Sequence, residues 1–90
     1  MSQAVVDPAE MRRFAQSLKR FGDEVGTQMG TLRGQFQGLS QTWRDKEHEK
    51  FAEEFDATIQ AIARFLEVSN QHIPFLMRKA DRIDEYLQQR

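Results

Sequence analysis

The sequence predicts an all-α fold, a two-helix antiparallel hairpin that dimerises into a four-helix bundle. Two observations lead there. Apolar residues recur only three or four apart through both halves of the chain, and the pattern is interrupted once, near residues 40–45. No strand-like alternation, internal repeat or low-complexity linker competes with it. A chain of 90 residues makes one small domain, residues 1–90, with a limited core.

Asp7-Pro8-Ala9-Glu10 is a compact helix start: Asp7 is placed to cap free amides, proline takes the first helical position, and Glu10 follows three residues after the cap. Helix 1 is expected over about 8–40. Its stripe is Met11, Phe14, Leu18, Phe21, Val25, Met29, Leu32, Phe36 and Leu39. Two successive spacings of four, at Phe21, Val25 and Met29, form a stutter that relaxes any supercoil there.

The stripe loses phase in Leu39-Ser40-Gln41-Thr42-Trp43-Arg44-Asp45, which puts a turn at about 41–45 with Asp45 as the second N-cap. Helix 2 is expected over about 46–89, kinked but continuous at Pro74, because its stripe passes through Ser69, Ile73, Leu76 and Ala80 without a slip. Acidic residues open this helix, and Arg78, Lys79 and Arg82 toward its far end are expected to complement the helix dipole.

Folding back at the turn would place Leu18 near Leu66, Val25 near Ile59 and Met11 near Ile73. It would leave roughly a dozen residues of helix 2 overhanging at ~1.5 Å each. The apolar stripe is wider than one neighbouring helix can cover, so a partner is expected against Phe14, Leu18, Phe21, Val25, Phe51, Phe55, Ile59, Ile62, Phe65, Leu66, Ile73, Leu76 and Ile83. The alternative is a monomer whose overhang folds back at Pro74.

All five glycines, Gly22, Gly26, Gly30, Gly34 and Gly38, lie four apart on helix 1, each costing about 1 kcal/mol against alanine. The row is either a close-approach track for another helix or a soft, easily bent segment without contacts. Trp43 at the turn is expected to cap the open end of the hairpin by covering Leu39 and Phe51.

The turn motif Trp43, Arg44, Asp45, followed by Phe51 and Phe55 in a chain of two long helices, resembles the WXG100 (ESAT-6-like) proteins associated with type VII secretion. Two departures stand out. The family's Trp-x-Gly reads Trp43-Arg44-Asp45, and its C-terminal Tyr-x-x-x-Asp/Glu is unmatched in Tyr86-Leu87-Gln88-Gln89-Arg90. The resemblance implies a hairpin that pairs with itself or with a paralogous hairpin and acts as a secreted substrate, chaperone or adaptor. A secretion ATPase is a further candidate partner. A cytosolic helical adaptor or chaperone that is not secreted is the alternative.

Composition excludes other classes. A formal net charge of -1 gives no field to gather nucleic acid or an anionic membrane, and no apolar run approaches the ~20 residues that span a bilayer. Residues 1–6 carry no secretory leader, so the chain is expected to be cytoplasmic as made, with any export through a leader-independent route. With zero cysteines there is no thiolate chemistry. His48 and His72 lack metal-site or catalytic spacing and read as surface or partly packed histidines. No enzyme activity, cofactor, metal or small-molecule substrate is expected.

Overall fold

A computed structural model describes residues 6–89. The readings made on residues 1–5 and on Arg90 lie outside them. Two helices, α1 (Pro8–Leu39) and α2 (Lys46–Gln88), are joined by a short corner and form an extended hairpin 68 × 25 × 15 Å. No strand occurs among the described residues.

Both helix starts use the aspartate the sequence offers. Asp7 Oδ1 accepts from the Ala9 amide at 2.9 Å, with Pro8 behind it at the first helical position. Asp45 Oδ1 accepts from the His48 amide at 3.0 Å. Each cap satisfies an amide that has no partner inside its own helix. At the other end, α2 reaches Gln88 without a basic residue in its last turn. Arg78, Lys79 and Arg82 therefore sit too far back to interact with the dipole, whose influence is confined to the terminal turn.

α2 is continuous through Pro74, although proline removes the amide that would bond the carbonyl of Asn70. Both residues are exposed, so water can take that carbonyl. What keeps the helix together is its seam: Phe55, Ile59, Ile62, Leu66, Ser69, Ile73, Leu76, Ala80 and Ile83 alternate steps of four and three. This heptad lies along α1 on both sides of the proline.

The core is thin. Ala15, Ile59 and Ala80 are the buried apolar residues of the seam, with Ser69 beside them and Pro8 at the start of α1, and among the described residues no large side chain is fully enclosed. The small residues matter here, because alanine on both helices lets the backbones approach closely at the open end.

The contacts lie within about one turn of the pairing expected from the sequence, offset toward the open end at Arg12. Arg12 reaches Asp81 and Asp84, farther along α2 than the position near 72 that pairing by residue number would place opposite it. Part of the difference is side-chain direction. Every Cα–Cβ bond tilts toward its helix N-terminus, so Arg12 leans toward the open end and Leu66 leans toward the corner. Leu66 accordingly lies against Gly22.

Candidate partner interface

The corner is an aromatic cluster held by polar links. Trp43 sets its ring edge-on to His48 (centroids 5.0 Å apart) and tilted against Phe51 (6.2 Å), while Leu39 stays half exposed. Phe36 stacks on His48 at 5.2 Å and packs against Phe55 at 4.9 Å. Edge-to-face and offset arrangements of this kind add to the apolar burial itself.

Ser40 ties the two helices together. Its hydroxyl donates to the Phe36 carbonyl at 2.9 Å, which leaves its oxygen free to accept from His48 Nε2 at 2.7 Å. His48 is thus a partly packed histidine with a structural partner, a pairing the sequence did not reveal. No described residue has a positive φ, and Asp45 sits at φ -91° and ψ -174°. A glycine is therefore not required at this position, and aspartate adds a cap that glycine lacks.

At the open end, Arg12 Nη2 bridges Asp81 Oδ1 at 2.6 Å and Asp84 Oδ2 at 2.7 Å. These charge-assisted bonds, to Asp81 first and then Asp84, hold the guanidinium pKa above its ordinary value. An arginine shifted upward stays charged throughout the neutral range, so the clamp's cation responds to salt and not to pH.

Between these two ends lies an apolar surface with two grooves. One groove of about 620 Å³ is lined by Phe21, Val25, Ala57, Thr58, Ala61, Ile62 and Phe65. A second, of about 340 Å³, continues from Phe65 toward the open end along Phe14, Leu18, Val68, His72 and Leu76. The rings are strongly exposed: Phe14 by 59%, Phe21 by 50% and Phe65 by 52%.

The thirteen expected partner residues therefore divide. Phe14, Phe21, Phe51 and Phe65 are exposed. Ile59 is buried in the hairpin's own seam, and Leu18, Val25, Phe55, Ile62, Leu66, Ile73, Leu76 and Ile83 are half-buried. Sequence reading missed Ala15 in the seam, the groove floor of Ala57, Thr58 and Ala61, and the exposed Val68 and Phe75. Reading the rows that flank the seam, seven residues apart, would have found the last two.

The glycine row also divides. A β-carbon on Gly22 would lie 3.7 Å from Leu66 Cδ2, an ordinary contact, whereas at Gly26, Gly30, Gly34 and Gly38 it would meet nothing within 4 Å. Successive glycines four apart drift by ~40° around the axis, so the row leaves the seam and winds into solvent. Within one hairpin it is no close-approach track beyond Gly22.

A family model, WXG100, described as proteins of 100 residues with WXG, matches residues 3–86. The chain belongs to the WXG100 family. No curated protein and no solved structure gives a significant match. For a WXG100 chain, the Trp43 corner and the two-helix hairpin are the family's shared features, and the aspartate at 45 is this member's variation on the glycine. Membership connects the chain to type VII secretion. Among the described residues no helix is long and apolar enough to cross a membrane.

Proposed function

We propose that this WXG100 chain is a non-enzymatic helix-pairing protein of a type VII secretion system. It lays the Phe14, Phe21 and Phe65 face against a second helical hairpin to complete a four-helix bundle. The bundle then travels as a secretion substrate or serves as an adaptor for one. The observation that carries this reading is the imbalance of burial: among the described residues no large side chain is fully enclosed, yet Phe14, Phe21 and Phe65 stand about half exposed along one face. Covering such a surface is favourable by about 25 cal/mol per Å².

The hairpin geometry suits 3-4 packing of helix ridges, the arrangement of most four-helix bundles. Trp43, Arg44 and Asp45 form the corner that a secretion ATPase would meet, and the exposed glycine backbone at Gly26, Gly30, Gly34 and Gly38 is open to another helix. A retained adaptor is the second reading, favoured by one observation: Tyr86 is followed four residues later by arginine where the family's export motif has an acid.

Phe65→Glu tests the pairing. The charged variant is expected to lose its partner in size-exclusion chromatography with light scattering while keeping its helical circular dichroism. A variant that pairs as tightly as the parent would overturn the assignment of this face. Fractionating an actively secreting culture separates substrate from adaptor, since only a substrate accumulates in the medium.

A further inference from the structure

We infer that the second groove is a socket for a tyrosine side chain of the partner, with the Ser69 hydroxyl and His72 receiving the phenol. This rests on reading the apolar face as the pairing surface, and it names the chemistry of what enters there. Ser69 is the one buried polar residue among the described residues, 7% exposed. The other small buried positions of the seam, Ala15 and Ala80, are alanines. Serine adds to alanine only a hydroxyl, at a cost in helix propensity and in desolvation. The helix itself does not use that hydroxyl. Thr31 and Ser40 each donate to the carbonyl four residues earlier, the usual local outlet for a helical hydroxyl. Ser69 makes no such bond to Phe65, nor any other bond among the described residues. Yet no buried side-chain oxygen or nitrogen there is both sealed from solvent and without a partner. The Ser69 oxygen therefore keeps contact with solvent, and the groove that Ser69 lines is where it does so.

The rest of this 340 Å³ groove selects the shape of the occupant. Phe14 and Phe65 present half-exposed rings to it, surfaces that take another aromatic ring edge-to-face or offset. The larger groove holds no buried polar group and accepts any apolar side chain. The second does not. A leucine or phenylalanine would expel the water at Ser69 and leave its hydroxyl unpaired, which is the costly side of hydrogen bonding. A phenol covers the rings and brings its own hydroxyl, which both donates and accepts and so matches a serine hydroxyl beside an imidazole. The indole of tryptophan only donates, and a charged side chain would lose its water among the rings. Tyrosine is also one of the residue types that dominate binding energy when seated in a desolvated pocket.

The test uses p-cresol and toluene, the side chains of tyrosine and phenylalanine as free molecules, titrated into the isotope-labelled chain and followed by amide chemical shifts. Toluene is the more apolar of the two, so burial alone ranks it first. The socket reverses that order: p-cresol is expected to bind at least ~3-fold more tightly, with shifts centred on residues 14–18 and 65–76. Ser69→Ala, a substitution that favours the helix, should lose the preference while melting no lower than the parent. Toluene binding as tightly as p-cresol in the parent, or a p-cresol preference that survives in Ser69→Ala, would overturn the socket. So would the absence of shifts along the groove with both probes. None of these results bears on pairing itself, which the Phe65→Glu variant decides separately.

Discussion

Asp45 shows how one residue can replace another by a different physical route. Glycine in the family motif leaves a corner unhindered, whereas aspartate at φ -91° needs no such freedom and caps α2 through the His48 amide. Asp45→Ala should cost about 1 kcal/mol of stability and Asp45→Gly only a few tenths, measured by urea unfolding. Equal losses would mean that the cap is not what stabilises the start of α2. Ser40→Ala should cost roughly 0.5–1.5 kcal/mol, the usual worth of one hydrogen bond, by releasing His48 from the end of α1. The caps were legible because their residue types and spacing are local. The Ser40 to His48 link was not, because it joins side chains across a corner whose path hydrophobic spacing does not describe.

Between elements, periodicity located both helices and the heptad seam of α2, and even carried the helix correctly through Pro74. It placed the facing positions to within about one turn, with Leu66 against Gly22 one turn from the expected Leu18. Pairing by sequence position ignores the lean of side chains toward the N-terminus, and a long arginine extends that error along the axis. Arg12→Gln should therefore accelerate amide hydrogen exchange over residues 80–88 while leaving the corner protected. High salt should produce part of the same effect in the parent chain. Exchange rising equally at both ends would refute a local clamp.

The glycine row belongs to this scale too. Since a β-carbon at Gly26 or Gly30 meets nothing, alanine there should stabilise an isolated hairpin by up to about 1 kcal/mol each in thermal unfolding. The same substitutions would weaken pairing only if a partner helix lies on the row, so measuring both quantities distinguishes the two readings of the glycines.

For the whole molecule, shape is the decisive quantity. A radius of gyration of 20.1 Å contrasts with the ~12 Å expected of a compact domain this long, and the difference reflects two rods lying side by side with few layers to bury. The surplus apolar face was readable in the sequence as a stripe too wide for one neighbour. Which phenylalanines it exposes was not, since Phe55 and Phe65 differ only in the angle each makes with the seam. Light scattering on the purified chain, alone and with a candidate hairpin, in the presence of a hydrophobic dye, tests the account most directly. It predicts particles of about twice the 10.6 kDa chain mass that leave the dye dark. A stable single chain that ignores both the dye and every added hairpin would contradict it.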